Sequence, residues 1–433
     1  MKRFLFVLSL FVLVLSSCLS AETAAPVTGN SGNIAWMLVS SALVLLMTPG
    51  LAFFYGGLVR RKNILGILMQ CFMAVALISI QWVLFGYSLA FAPGNDFIGG
   101  LSYLGLKHVG MEPGPFSPAI PHQAFMIFQM MFAIITPALI IGAFAERMKF
   151  SAYLIFSLLW ATLVYDPLCH WVWGGGWMAK MGVMDFAGGI VVHISAGFAA
   201  LVTAIVIGKR RNHTAVPTPH NMPFTVLGAG LLWFGWFGFN AGSALAANGV
   251  AISAFLSTNT AAAAAALTWA FIEWKTTGRP TMLGTATGAI AGLATVTPAS
   301  GFISVIPAII IGITTSIICY MAVSIIKPMF NYDDTLDAFG VHGIGGLVGT
   351  LMTGLFASTA INPAGANGLF YGNAKQFGIQ CIAVLTSVGF TVIMTFVLYK
   401  LVDLTIGVRV EDKKEVLGLD VSEHNERAYT LIE

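Results

Sequence analysis

The chain has 433 residues, of which 57% are hydrophobic and only 9% are charged, and its formal net charge is +3. Soluble domains carry about 25% charged residues, so this composition excludes a soluble globular protein and indicates a polytopic membrane protein. The small, dispersed charge excludes a nucleic-acid-binding surface. The five cysteines include no CxxC pair, and they predict neither a metal cluster nor a disulfide framework.

The first 21 residues have the layout of a bacterial secretory signal, with a basic start, an apolar run and then small residues. We therefore exclude 1–21 from the fold. The stretch 15–18 also resembles a lipobox, so cleavage that leaves a lipidated Cys18 and ordinary cleavage near 20–24 are both open. Either route places the mature N-terminus outside.

A membrane-spanning helix needs about 20 apolar residues to cross roughly 30 Å of hydrocarbon. The rest of the chain contains eleven candidate spans of this kind, at 34–56, 64–92, 122–145, 150–173, 186–208, 222–245, 250–274, 283–299, 303–327, 337–358 and 375–402. They predict an all-α transmembrane domain over 34–402, followed by a cytoplasmic tail over 403–433.

The basic residues of the loops indicate how the spans are oriented. With the N-terminus outside, the inner loops and the tail hold 16 of these residues and the outer loops hold 3. An excess of Lys and Arg marks the cytoplasmic side, so the N-terminus is predicted outside and the C-terminus inside. The inner residues are Arg60, Arg61, Lys62, Arg147, Lys149, Lys209, Arg210, Arg211, Lys275, Arg279, Lys327, Lys400, Arg409, Lys413, Lys414 and Arg427; the outer ones are Lys107, Lys180 and Lys375.

Two segments repeat the same pattern, a histidine eight residues after an aspartate. Asp185 precedes His193 at the start of span five, and Asp334 precedes His342 at the start of span ten. The two spans run in opposite directions, which predicts a five-plus-five inverted repeat with the eleventh helix outside it. Transporters place their path between such halves, near the membrane midplane.

The two histidines are the first functional candidates, because ionisable groups inside a bilayer are costly. A pseudo-two-fold axis would bring His193 and His342 close together. A metal site is the competing interpretation, but it lacks a third ligand at comparable depth. We therefore predict a neutral pair that shares one hydrogen bond, lines a pore and passes a proton.

Aromatic residues gather near the outer ends of spans four and six. Trp236, Phe239, Asn240 and Ser243 occur at i, i+3, i+4 and i+7, which predicts that they share one helical face, and Trp173 ends span four. Aromatic residues are common in membrane helices, so their spacing alone is weak evidence. Ring faces attract a small cation by about 0.5–2 kcal/mol, and a hydroxyl replaces lost water. The combination predicts a small-cation site.

Span three adds Phe128 and Phe132, an i, i+4 pair. Together with five longer motifs, at 49–57, 142–147, 185–189, 235–243 and 339–343, these residues carry a family resemblance. From about residue 36 to residue 429 the chain resembles the ammonium transporter, methylammonium permease and Rhesus family, and specifically its bacterial ammonium transporter branch.

The resemblance implies a role for each matching residue. Phe132, Trp173 and Ser243 match an outer recruitment site that holds ammonium by cation–π contact and a hydrogen bond. Phe132 and Phe239 match a stacked pair that closes the outer vestibule. Phe128 and Trp236 are expected to support this site.

The twin histidines His193 and His342 match those of the narrow pore below the gate. Asp185 matches an aspartate that supports the recruitment site, and its alternative role is a helix N-cap for span five. The resemblance also implies a homotrimer with one pore per subunit in the bacterial inner membrane, without a cofactor or a metal.

The implied function is electrogenic ammonium uptake, in which ammonia passes the pore and the histidines relay the proton. A Rhesus-type gas channel and an ammonium sensor of the same fold remain alternatives. An enzyme is not expected, since the sequence contains no nucleophile–base set and no cofactor motif.

Two segments depart from the family pattern. Asp166 is an acid within span four, where it either caps the helix broken at Pro167 or tunes the outer vestibule electrostatically. The tail motif over 418–429 has Asn425 at a position where glycine is expected. That motif implies docking of a PII-type signal protein, and a tail that only packs against neighbouring subunits is the alternative.

Overall fold

The structure is a computed structural model that describes residues 29–211 and 219–429. The predicted signal segment 1–21, with Cys18, lies outside the described residues. The described chain is helical except for loops and one small antiparallel hairpin formed by Pro113–Gly114 and Ser117–Pro121. We call the end of the helix bundle that carries this hairpin the hairpin end, and the opposite end the tail end.

Ten helices in the described part of the chain are long and apolar enough to cross a membrane, and a shorter apolar helix lies between the seventh and eighth of them. These findings confirm an all-helical polytopic membrane fold. In chain order, the eleven segments α1 to α11 are Ser31–Leu58, Arg61–Phe91, His122–Phe144, Phe150–Met181, Gly189–Ile207, Met222–Gly242, Gly249–Thr277, Met282–Val296, Val305–Phe330, Phe339–Phe356 and Ala374–Ile406.

The segment α8 is shorter than the predicted span 283–299. Its helix ends at Val296, and a run of turns follows before α9 begins at Val305. At 15 residues, α8 covers about 22 Å at 1.5 Å per residue, less than the hydrocarbon thickness of a bilayer. The residues that follow the helix, Thr297, Pro298 and Ala299, are uncharged and buried, so the sequence carries no charge that marks the end of the helix.

Five helices in the described part of the chain contain a wide π-turn, and four of these turns occur at corresponding places in the two halves. The fourth and ninth segments contain Ala161–Tyr165 and Ala322–Ile326, and the fifth and tenth begin with Gly189–Ile194 and Phe339–Gly343. Isolated π-turns often mark functional positions in helices. The correspondence supports an internal repeat of five helices.

Glycines bring α5 and α10 into backbone contact. A Cβ on Gly197 would overlap the backbone of Gly343, and one on Gly346 would lie 2.7 Å from the carbonyl oxygen of Gly189. Such close approach is what small residues permit between membrane helices. The two histidine-bearing turns therefore meet inside the bundle.

A network of buried charges joins the loops at the tail end. Glu146 pairs with Arg60 at 2.8 Å and with Arg210 at 3.1 Å, and Arg210 also pairs with Asp333 at 2.9 Å. Burial opposes ionisation of Glu146, but the hydrogen bond and charge of Arg60 and the charge of Arg210 hold its pKa below the ordinary value. The carboxylates therefore stay ionised and hold the loops together.

The C-terminal tail packs onto the same end through two short helices, α12 (Asp412–Leu417) and α13 (Leu419–His424). The backbone N–H of Leu419 donates to the Asn63 side chain at 2.8 Å, and Asp420 accepts from the N–H of Gly66 at 2.9 Å. Asn425 adopts a left-handed backbone with φ of 54°. Asparagine tolerates this conformation better than most residues, so it can occupy the position expected for glycine.

Candidate functional site

An aromatic cluster lies between α3, α4 and α6 near the hairpin end. The ring of Phe132 meets the edge of Trp173 at a centroid distance of 5.8 Å, and it meets Phe128 at 4.9 Å. Phe128 and Phe132 are buried, whereas Trp173 and Ser243 are only partly buried. The cluster therefore has an accessible side, formed by Trp173 and Ser243, above buried phenylalanines.

Hydrogen bonds orient the two accessible residues. The indole N–H of Trp173 donates to the backbone oxygen of Asp185 at 2.8 Å. The Ser243 hydroxyl donates to the backbone oxygen of Phe239 at 2.9 Å. With its hydrogen committed to this bond, the Ser243 oxygen keeps its lone pairs as acceptors. The site thus offers an aromatic face together with an oxygen acceptor.

On the buried side of this cluster, the rings of Phe132 and Phe239 are in contact and block access to the interior of the bundle. The Phe132 and Phe239 centroids are 4.3 Å apart, and their planes are tilted by 42°. Each residue is about 1% exposed, which leaves no open passage between the rings. The predicted pair is in contact, although its rings are tilted rather than stacked in parallel.

The two histidines come together directly beneath the phenylalanines. His193 and His342 stack with centroids 5.3 Å apart and planes 14° apart, and His193 also stacks on Phe239 at 6.0 Å. The predicted hydrogen bond between the histidines is not formed, since neither ring nitrogen of His193 has a partner among the described residues.

Two cavities continue this column toward the tail end. A narrow cavity of about 10 Å³ is bounded by both histidines and by apolar side chains, and a larger one of about 240 Å³ opens beyond it. His342 and Ile290 border both cavities. The smaller volume is close to the minimum for one water-sized molecule. The arrangement is a tight apolar passage leading into a wider vestibule.

Asp185 supports the cluster from the start of α5. Its two carboxylate oxygens accept hydrogen bonds of 2.6–3.2 Å from the backbone N–H groups of Gly188, Gly189, Ile190 and Val191. Burial raises its pKa, and these four donors oppose the rise. Both roles expected for Asp185 are compatible with this geometry, because it caps the helix and its backbone oxygen orients Trp173.

Other positions differ from the sequence-based expectations. The amide of Asn240 is committed to another helix, since it donates to Thr258 of α7 at 2.9 Å. Trp236 lies beside His193 at 5.6 Å, and its indole N–H donates to Thr297. Asp166 caps no helix and does not reach the vestibule; it is fully buried and accepts from Gln81. Partners such as Thr258, Thr297 and Gln81 are invisible to local spacing.

The fold and this column define a polytopic helical membrane protein with a tight internal passage. A sequence profile described as Ammonium Transporter Family matches residues 35–429. The chain therefore belongs to the ammonium transporter family, whose named members are transporters and not enzymes.

Individual relatives are similar over almost their whole length. The ammonium transporter of Bacillus subtilis (strain 168) is 56% identical over 398 residues, which cover 92% of this chain and 98% of that protein. Ammonium transporter Amt1 of Archaeoglobus fulgidus is 48% identical, with 93% and 100% covered. The crystal structure of Saccharomyces cerevisiae Mep2 matches with a TM-score of 0.84 at 37% identity and covers 89% of each chain.

Proposed function

We propose that this protein takes up ammonium across the cytoplasmic membrane of a bacterium. The observation that carries the proposal is the continuous column of rings from Trp173 through Phe132 and Phe239 to His193 and His342. The names of the related ammonium transporters support the same substrate.

Capture takes place at the accessible side of the cluster. The faces of Trp173 and Phe132 attract the cation, and the Ser243 oxygen accepts one of its N–H bonds. Phe128 and Asp185 act indirectly, since Phe128 packs on Phe132 and Asp185 orients Trp173.

Ammonium loses its proton beneath the phenylalanine gate. A bare cation in an apolar passage would cost tens of kcal/mol by Born solvation, so neutral ammonia is the species that crosses the narrow cavity. The proton moves separately by way of His193 and His342. Because the stacked rings share no hydrogen bond, this relay needs a bridging water molecule or a ring rotation.

Ammonia and the proton recombine in the wider vestibule, so each cycle carries one positive charge inward. Potassium has no proton to give up, and the same step rejects it. The transport is therefore electrogenic and selective for a substrate that can be deprotonated.

The hairpin end faces outward and the tail end faces the cytoplasm in this proposal. The basic residues that link the loops and the tail, among them Arg60, Arg147, Arg210 and Arg409, lie together at the tail end. Their position follows the positive-inside rule. Two inverted halves of five helices, with α11 added, form each subunit of a homotrimer with one pore per subunit.

The tail motif over 418–429 docks a PII-type signal protein, which plugs the vestibule when nitrogen is plentiful. We expect the full-length protein to co-purify with the host PII protein after an ammonium shock. Absence of a complex in every nucleotide state of PII would leave a tail that only packs against neighbouring subunits.

One observation favours a second candidate, an ammonium sensor. A solved structure titled "Sensor Amt Protein" matches with a TM-score of 0.83 at 28% identity. A sensor would bind ammonium at the same cluster without sustained transport.

The deciding experiment records currents from purified protein in liposomes on a solid-supported membrane. An ammonium pulse should produce a saturable inward current, and an equal potassium pulse should produce none. Ammonium-dependent alkalinisation of the liposome lumen without current would indicate a neutral gas channel. Binding of ammonium without current or a pH change would indicate a sensor.

A further inference from the structure

A buried carboxyl group in α4 belongs neither to the aromatic column nor to the charged network at the tail end. Asp166 is fully buried, and its Oδ2 atom accepts a hydrogen bond of 2.7 Å from the side-chain amide of Gln81 in α2. The same amide nitrogen lies 3.3 Å from the hydroxyl of Thr162. The contact thus joins two membrane-spanning helices through polar side chains.

The second polar side-chain atom of Asp166 and that of Gln81 have no hydrogen-bond partner among the described residues. These atoms, Asp166 Oδ1 and Gln81 Oε1, are buried. The ion pairs of the described chain likewise include none to Asp166. The carboxyl group therefore has one hydrogen bond and no counter-charge.

An ionised carboxylate in this setting would be strongly unfavourable, because the residue is fully buried and none of the ion pairs among the described residues involves it. Gln81 Oε1 can only accept a hydrogen bond, and an ionised Asp166 has nothing to donate to it. A protonated carboxyl has one O–H donor and one acceptor, which are complementary to the acceptor and donor of a primary amide. A proton on Asp166 Oδ1 therefore gives this atom a hydrogen to donate and gives Gln81 Oε1 a hydrogen bond to accept.

The position of the pair in the helices is also unusual. Gln81 directly precedes the π-turn Trp82–Gly86 of α2, and Asp166 directly follows the π-turn Ala161–Tyr165 of α4. Trp82 and Tyr165 also contact each other, with ring centroids 6.1 Å apart. The pair therefore connects two helices next to the irregular turn in each of them.

We propose that Asp166 holds a proton in the folded protein and binds Gln81 through two hydrogen bonds. The proton makes Asp166 neutral, so the contact between α2 and α4 carries no charge. Trp173 lies seven residues further along α4, so this contact fixes the segment that presents this indole at the hairpin end. Asp166 is a positioning residue in this scheme. Only this positioning part rests on the proposed ammonium capture by Trp173.

Infrared spectroscopy of the full-length protein in liposomes at neutral pH tests the protonation directly. Subtracting the Asp166→Asn spectrum from that of the unchanged protein should leave a band in the carbonyl region of protonated carboxylic acids. Asp96→Asn, at an exposed position, is the matched control and should remove a carboxylate band. Loss of a carboxylate band in Asp166→Asn would overturn the proposal, whatever the transport activity.

A second measurement tests the positioning role through concentration dependence of the ammonium current. Asparagine can form the same two hydrogen bonds with Gln81, so Asp166→Asn should keep the half-saturating ammonium concentration within twofold. Asp166→Leu and Gln81→Leu cannot form them, and each should raise that concentration severalfold in protein that still purifies as a folded species.

Unchanged half-saturation in both leucine variants would overturn the positioning role. Loss of current in folded Asp166→Asn protein would also overturn it, because that result would mean that the proton has to leave Asp166. If ammonium produced no current in any form of the protein, the proposed transport would fail while the infrared result still decided the protonation.

Discussion

Just before α5 and just before α10, a buried aspartate precedes a π-turn that carries a histidine, yet the two aspartates are held differently. Asp185 accepts hydrogen bonds from four backbone N–H groups of its own turn. Asp334 accepts from two, those of Ala338 and Phe339. Beside Asp334, the ammonium group of Lys327 donates to its backbone oxygen and to Asp337.

The turn at the start of α5 is therefore stabilised by its own hydrogen bonds, whereas the turn at the start of α10 also depends on neighbouring elements. The start of α5 is closed by local hydrogen bonds that need no other element. The start of α10 is shared with Lys327 of α9 and lies beside Asp333 of the tail-end network. The histidine turn of α10 is therefore the one that charge changes at the tail end can reach.

The largest effect is expected when each aspartate is replaced by alanine. Asp185→Ala leaves up to four buried donors unpaired, at about 1–3 kcal/mol each, and should abolish or nearly abolish recovery of folded protein. Asp334→Ala leaves two and should give a folded but less stable protein. Thermal unfolding followed by size-exclusion chromatography measures both. An equal or greater loss in Asp334→Ala would contradict the comparison.

Acid should stabilise the protein through Asp334. Burial, opposed by the charge of Lys327, raises the pKa of Asp334 from 3.8 to about 6. The folded state therefore binds this proton more tightly than the unfolded state does. The resulting stability is complete below about pH 4 and is lost as the pH rises through about 6, with a full change of about 3 kcal/mol.

The melting temperature should accordingly be higher at pH 5 than at pH 7. This difference between the two pH values should be smaller in Asp334→Asn than in the unchanged protein. Asp96→Asn, at an exposed residue that pairs with Lys180, serves as the control and should keep the original difference. An identical pH difference in Asp334→Asn would show that other groups cause it.

Substitution of each histidine tests whether the two turns belong to the same transport path. If His193 and His342 act in series, either alanine variant should lower the ammonium current by at least about tenfold, or about 1.4 kcal/mol. The ratio of ammonium to potassium current per folded protein should fall as well, because the enlarged passage admits water. A normal ratio in both variants would remove the relay and leave the histidines a structural role.

The smallest effect concerns the proposed capture cluster at the hairpin end. Ser243→Leu and Trp173→Leu each remove a contact worth about 1 kcal/mol, so each should raise the half-saturating ammonium concentration about fivefold. Thr287 lines the wider vestibule, so Thr287→Val is the control and should leave the half-saturating concentration unchanged. If both leucine variants keep normal half-saturation, the cluster does not capture ammonium.

Much of the fold was predictable because each membrane span can be recognised from its own consecutive residues. A helix that crosses hydrocarbon must be apolar over its own length, so the spans found from hydropathy lie close to α1–α7 and α9–α11. The exception, α8, is a helix that ends before the predicted span does, because the chain continues in buried, uncharged turns. Hydropathy reports burial in lipid or protein, and it does not distinguish a helix from buried turns.

The candidate site was predictable only in part. The aspartate–histidine spacing and the aromatic motifs identified His193, His342, Phe132 and Phe239, and the structure brings all four together. Helical spacing groups Asn240 with Phe239 and Ser243, but it does not reveal the partner of the Asn240 amide. It considers one helix at a time, whereas the Asn240 amide is directed by Thr258 on the next helix.

By itself, the sequence determined that this protein lies in a membrane, where its helices run, and which ionisable residues must be buried within them. The tertiary structure decided how those residues are partnered. The parallel stacking of the histidines depends on glycine contacts between α5 and α10, and the pairing of Asp166 depends on Gln81 in α2. Partners 85 residues apart meet only when helices pack, so no local pattern of residues could specify them.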